Sequence, residues 1–248
     1  MLKLNHLTGF GSGVGAAAGA DVTSYVLDGT GDYLSIPDHA DWDFVSSDFT
    51  WECFIRIPTS PITSAELLWE QYEDNNNFNI LFINDDDTIK WRIREAGAYE
   101  VDIEGDFSST SADTWHHIAI VRQTNDYYWY IDGTDVTNSG SPDAFNAAAR
   151  SGNVRISSRA AYSGGLAFTG YIDELRISDT YRYPDGTGFT PTITQFVSDA
   201  NTLLLIHGGE AIASGTTGSG ATFVDSGNTG HTVTENGNAI RDISIYKF

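Results

Sequence analysis

Apolar and polar residues alternate along most of this chain, and the alternation predicts strands rather than helices. In DFTWECFIRI, Trp51, Cys53 and Ile55 share one face, opposite Glu52, Phe54 and Arg56. In TIKWRIRE, Ile89, Trp91 and Ile93 alternate with Lys90, Arg92 and Arg94, and in DYYWYIDG, Tyr127, Trp129 and Ile131 oppose Tyr128 and Tyr130. A period of two places one face of each segment on a core and the other toward solvent. TWHHIAIVR is apolar on both faces near its middle, as a central strand requires. Turn chemistry separates these runs in LDGTGD, EDNNNF, INDDDT, YIDGTD and YPDGTG. No long amphipathic helix is visible, and SPDAFNAAARSG has room for one short helical turn. The pattern predicts one large all-β domain with arms.

Four segments follow. Residues 1–21 hold a short apolar cluster, Leu2, Leu4, Leu7 and Phe10, ahead of a Gly/Ala tether. A disordered tail and a docking peptide both fit, and the cluster favours docking. Residues 22–183 carry the main strand pattern. Residues 184–200 form a connector that starts with Pro and Gly. Residues 201–248 return to strand-like runs: TLLLIH, ATFVD, HTVTEN and AIRDISIYKF. These last runs read as strands that belong ahead of YVLDGTGDYLSIPDHADWDF, so the chain looks circularly permuted or cut from a string of repeats. Residues 201–248 are expected to complete their own sandwich, with donation to a neighbour as the alternative.

Composition narrows the partners. The chain has 248 residues, 13 basic and 34 acidic, for a formal net charge of −21. Phosphate backbones and anionic membranes are held by clustered Lys and Arg, so neither nucleic acid nor a membrane surface is an expected partner. No run approaches the ~20 apolar residues of a membrane span, and Asn5, His6 and the nearby glycines interrupt any secretion-signal core. The single cysteine, Cys53, lies in an alternating run and reads as a buried thiol.

The ordered runs LDGTGDYLSIPDHADWDF, DFTWECFIRIP, TWHHIAIVRQ, YYWYIDGTDV and GYIDELRISDTYRY resemble a laminin-G-like domain of the concanavalin A-like lectin/glucanase superfamily. The resemblance covers roughly residues 22–183 and implies a jelly-roll sandwich of two antiparallel sheets. It does not by itself imply one function, because this fold hosts lectins, hydrolases, adhesion domains and structural proteins. The closing run is similar to what precedes LDGTGDYL in tandem domains of the family, which are common in bacterial viruses. LNHLTGFGSG resembles the start of phage structural proteins. The resemblance thus implies a virion component such as a decoration protein or a head or tail fibre. Its expected partners are other virion proteins and copies of itself, and its expected location is the virion, assembled in the host cytoplasm. A free-standing extracellular lectin or adhesin is the alternative.

Glycoside hydrolysis needs two carboxylates ~5–10 Å apart, and relatives that hydrolyse usually carry them in a Glu-x-Asp-x-x-Glu strand motif. This chain has no such run. The nearest set is Glu66, Glu70, Glu73 and Asp74, with Leu68 where an acid would be needed. His116 and His117 are adjacent and point to opposite faces. The chain is therefore expected to be non-catalytic. For a glycan ligand, Tyr128 and Tyr130 with Arg92 and Arg94 would form a binding surface if their strands shared one sheet. A solvated face with cross-strand ion pairs is the competing reading. For an ion, calcium is the candidate in a structural role. The resemblance implies Asp173 of GYIDELRI joined by Asp28 and Asp32, against an ordinary turn in DGTGD. Asp85, Asp86 and Asp87 read as a hairpin tip.

Overall fold

The computed structural model describes residues 24–44, 47–139, 148–159, 166–184, 186–208, 223–237, 239–242, 245 and 247–248. The strands are β1 (Ser24–Asp28), β2 (Tyr33–Ile36), β3 (Phe49–Arg56), β4 (Glu66–Asp74), β5 (Asn77–Ile83), β6 (Thr88–Glu95), β7 (Ala98–Asp106) and β8 (Trp115–Gln123). They continue with β9 (Asp126–Ile131), β10 (Thr134–Asp135), β11 (Thr137–Ser139), β12 (Val154–Ile156), β13 (Thr169–Ser178), β14 (Thr202–Ile206), β15 (Thr234–Asn236) and β16 (Ile240–Asp242). A single 3₁₀ turn, Ala40–Trp42, follows β2 among the described residues.

Two antiparallel sheets result, as a jelly-roll sandwich requires. Sheet A runs β10-β9-β8-β3-β13-β1-β16, with β14 also on β13, and sheet B runs β11-β7-β6-β5-β4-β12-β2-β15. The alternation read from the sequence sets the inner faces. Trp51, Cys53 and Ile55 of β3, Trp91 and Ile93 of β6, and Trp129 of β9 all enter one apolar cluster between the sheets. β8 is buried along nearly its whole length between β9 and β3. Trp42 is a packed corner, its indole N–H donating to Pro37 O at 3.1 Å. The sheets approach closely at Gly105, where a Cβ would lie 2.7 Å from Trp129 Cβ, so only glycine fits opposite that indole.

The C-terminal strands lie within this sandwich. β14 pairs with the second half of β13, β16 pairs with β1, and β15 pairs with β2. β13 therefore borders β3 on one side, and β1 followed by β14 on the other. The changeover is a bulge just after Asp173, where Glu174 and Leu175 stand opposite Cys53, with Glu174 at φ 53°. Both carboxylates are fully buried. Asp173 accepts from the backbone N–H of Gly208 at 3.0 Å and of Lys247 at 3.3 Å. Glu174 accepts from Phe196 N at 2.6 Å and meets His207 Nδ1 at 2.7 Å. Residues 1–23, with the docking cluster Leu2, Leu4, Leu7 and Phe10, lie outside the described residues, as does most of the possible helical turn.

Candidate functional site

Each sheet has an outer face, and the chain treats the two differently. On sheet A, Phe54 of β3, Ala119 and Val121 of β8, and Tyr130 of β9 point away from the sandwich core yet are fully buried. The connector covers them. Tyr183 and Phe189 stack on each other with centroids 3.6 Å apart and pack over Tyr130. Phe196 lies against Phe54. Under this cover Glu52, with no exposed surface, collects four hydrogen bonds. Arg176 donates from Nε at 2.8 Å and from a terminal nitrogen at 2.6 Å, His117 Nε2 lies at 3.0 Å, and the Tyr183 hydroxyl donates at 2.6 Å. Burial pushes the Glu52 carboxyl up. The hydrogen bond from His117, the Arg176 charge and the Tyr183 hydroxyl outweigh it and hold the group at about 2. Beside it, Arg182 forks onto Asp199 at 2.9 and 2.8 Å. Strand parity identifies Glu52 as pointing outward, but no local signal shows that the connector folds back over it.

The outer face of sheet B is built as a ladder of cross-strand pairs. Phe78, Ile80 and Phe82 of β5 stand opposite Arg94, Arg92 and Lys90 of β6. Arg92 and Lys90 in turn face Asp102 and Glu104 of β7. Arg92 bonds Asp102 at 2.7 Å, and Lys90 reaches Glu104 at 3.1 Å. Arg94 instead donates to the backbone carbonyls of Gly97 and Asn75, at 3.1 and 2.9 Å. No carboxylate pairs with it among the described residues. Above the ladder sits Tyr99, 52% exposed, with the Arg92 and Arg94 guanidinium carbons each 5.3 Å from its ring centroid. This is cation–π range. Tyr99 escapes the sequence pattern because parity places it with the buried Val101 and Ile103. A bulge opposite Ile93/Arg94 pairs Arg94 with Tyr99 and turns the tyrosine outward.

The four residues expected to form one glycan surface do not converge. Arg92 and Arg94 lie on sheet B and Tyr128 and Tyr130 on sheet A, because β6 and β9 belong to different sheets. Tyr130 is fully buried, its hydroxyl donating to Pro184 O at 3.0 Å. The aspartates expected around calcium do not fit a single ion either. Asp28 pairs opposite Thr169, and Asp173 lies four residues further along β13, roughly 13 Å at strand rise. Asp173 is occupied by the Gly208 and Lys247 amides. Asp28 accepts from Thr30 N at 2.7 Å, as an ordinary Asx turn does. Asp86 bonds Thr88 at a hairpin tip. Glu66 and Glu70 share parity, but the bulge between Leu67 and Trp69 turns them to opposite faces: Glu66 pairs opposite the core residue Ile83, Glu70 opposite the outward Ile80. Glu66 is pushed up to about 7, desolvation outweighing its bond from Thr169 N. Among the described residues one group has metal-ligand spacing: His39, Asp41 and His231.

A family model described as the concanavalin A-like lectin/glucanases superfamily, in its laminin G branch, matches residues 28–185. No curated protein sequence matches the chain. Solved structures share the fold at low identity. A Bacteroides ovatus protein provisionally assigned to carbohydrate binding superposes with a TM-score of 0.54 and 14% identity, covering 87% of this chain and 59% of its own. Domains LG4-5 of the mouse laminin α1 chain give 0.46 and 13%, covering 68% and 47%. Domain 4 of an extracellular arabinanase from Geobacillus stearothermophilus, in complex with arabinotriose, gives 0.46 and 18%, covering 64% and 71%. The chain thus spans about half of the first two structures' length. No helix among the described residues is long and apolar enough to cross a membrane.

Proposed function

The chain belongs to the laminin G-like branch of the concanavalin A-like lectin/glucanases superfamily, and on that premise we propose that it is a non-catalytic carbohydrate-binding module whose ligand lies on the outer face of sheet B. One observation carries the reading: an exposed aromatic ring, Tyr99, held between two guanidinium groups on rigid, paired strands. The C–H face of a pyranose stacks on such a ring, and the flanking polar groups orient its hydroxyls. Arg94 has no carboxylate partner among the described residues and keeps Nη2 beyond its two carbonyl bonds, which favours an acidic sugar through a charge-assisted hydrogen bond. The Bacteroides structure supports the same class of ligand through its assigned role. On the opposite face the connector covers Phe54, Ala119, Val121 and Tyr130.

The experiment is binding of purified protein to a panel of neutral and acidic bacterial polysaccharides, with and without chelator. Saturable binding is expected, weakened at least tenfold in Tyr99→Ala and Arg94→Ala. A folded protein that binds no glycan, or variants with unchanged affinity, would overturn the site.

Within the same proposal the module is a virion part, carried as a decoration protein or on a fibre, and it self-associates. The support is sequence alone: the apolar cluster at Leu2, Leu4, Leu7 and Phe10 on its tether, and the resemblance of the closing strands to tandem phage domains. Light scattering of the full chain and of a variant lacking residues 1–21 tests it. A monomer in both forms argues against an assembly role for the arm.

A further inference from the structure

The 3₁₀ turn after β2 and the segment before β15 meet at a corner of the sandwich that the glycan reading does not use. His39 caps the turn and Asp41 lies inside it. His231 arrives from 190 residues away, its backbone fixed by Asp225, which accepts from the N–H of His231 at 2.7 Å, of Gly227 at 2.7 Å and of Leu205 at 2.9 Å. The three side chains offer donor atoms within 4.8 Å of one another. Asp41 Oδ1 is 3.0 Å from His39 Nδ1, and Asp41 Oδ2 is 2.9 Å from His231 Nε2.

The His39 contact is the informative one. Its Nδ1 accepts the Asp41 backbone N–H at 3.2 Å. A nitrogen that accepts carries a lone pair and no proton, yet a carboxylate oxygen stands beside it. Two lone-pair donors at that separation repel unless a positive charge lies between them. A proton on Nδ1 or a metal ion meets that need, and either one takes the single Nδ1 lone pair from the Asp41 N–H. Metal–ligand distances of ~2.0–2.2 Å place tetrahedral ligands roughly 3.3 Å apart; the two His–Asp spacings are 3.0 and 2.9 Å, to different oxygens of Asp41, and all three donors lie within 4.8 Å. Two imidazoles and one carboxylate suit a borderline cation and not calcium, which prefers oxygen throughout. Asp41 is held in turn by the Thr229 hydroxyl, which donates to Oδ2 at 2.8 Å, the kind of outer hydrogen bond that orients a ligating carboxylate. His231 is nearly buried against Trp42, with ring centroids 4.5 Å apart, while the His39 side chain is 45% exposed and leaves an entry path.

We propose that His39, Asp41 and His231 form a zinc-type divalent metal site that latches the C-terminal segment onto the turn after β2. Three protein ligands leave a fourth position for water or an outside group.

The test uses the full chain without a histidine tag, stripped by chelator and titrated with Zn²⁺ by calorimetry. A parallel titration with Co²⁺ is followed by visible absorption. One equivalent of Zn²⁺ per chain at micromolar or tighter affinity is expected, with the intense visible bands of tetrahedral Co²⁺ and a rise in Tm on saturation. His39→Ala, at an exposed position, should fold as the parent does and lose at least tenfold in affinity. His231→Ala should lose more. A parent protein that takes up no zinc would overturn the proposal and leave a proton as the occupant. Undiminished uptake in His39→Ala would overturn it by placing the metal elsewhere.

Discussion

Replacing Glu52 with glutamine keeps the shape of the side chain and removes its charge. In the parent the carboxylate faces four donor groups from three residues: two nitrogens of Arg176, one of His117 and the Tyr183 hydroxyl. A glutamine turns its own NH₂ toward one of them and leaves the Arg176 charge, whose side chain is 10% exposed, without a counter-ion. Removing one member of a buried pair costs ~3–5 kcal/mol. At about 2–4 °C per kcal/mol for a chain of this size, Tm near pH 7 should fall by roughly 10 °C. The pH dependence is the sharper check. Glu52 is held at about 2 against an ordinary 4.5. A depressed carboxyl stabilises the fold above its unfolded value, and that stabilisation is lost as pH falls through the folded value. The parent should therefore lose on the order of 3 kcal/mol from this group between about pH 5 and pH 2. Glu52→Gln has nothing to lose there. Asp132 and Asp199 are also held low, by their bonds to His116 and Arg182, but they act equally in both proteins and cancel in the difference. Urea denaturation of both proteins from about pH 7 to about pH 2.5 should show the gap closing on acidification. A gap that stays constant, or no gap at neutral pH, would refute the reasoning.

Other outcomes follow from the same geometry. Gly105→Ala should destabilise by ~1–3 kcal/mol in chemical denaturation, because its methyl would overlap Trp129; an unchanged midpoint would mean the sheets can separate freely there. Leu204→Ala, fully buried on β14, should cost ~2–5 kcal/mol. In a variant lacking residues 1–21, with the C-terminal strands paired in their own sandwich, Tm should not depend on protein concentration, whereas a concentration-dependent Tm there would mean exchanged strands. Glu66 is pushed up by burial, so its contribution is present below about pH 4.5 and lost as pH rises through about 7. Glu66→Gln should match the parent at pH 4 and melt higher at pH 8, and identical melting curves at both would exclude the desolvated carboxyl.

Much of the sandwich is legible in the chain because it follows from parity. The tryptophans of β3, β6 and β9 fall on the core face for the reason that Glu52, Arg92 and Tyr130 fall on the other. Parity ends at bulges. One extra residue at Glu100 sends Tyr99 outward, and another near Leu68 separates Glu66 from Glu70, with no change in composition to mark either. Parity also says nothing of which sheet a strand joins. Arg92 and Tyr130 share an outward orientation and lie on opposite sides of the molecule, because sheet membership is decided by pairings across the whole chain. The His39–Asp41–His231 group is invisible for a related reason, since its members adjoin only after β15 has found β2.

The pairing of β1 has a consequence in time. Tyr25 pairs with Ile172 of β13 on one side and Arg241 of β16 on the other, so β1 has no neighbour until well over a hundred further residues have been made. At ~5–20 residues per second, it waits roughly 10–30 s for β13 alone. Over that interval the nascent chain carries an unpaired strand edge, which makes the high density of acidic residues a protection during synthesis as much as a property of the finished surface.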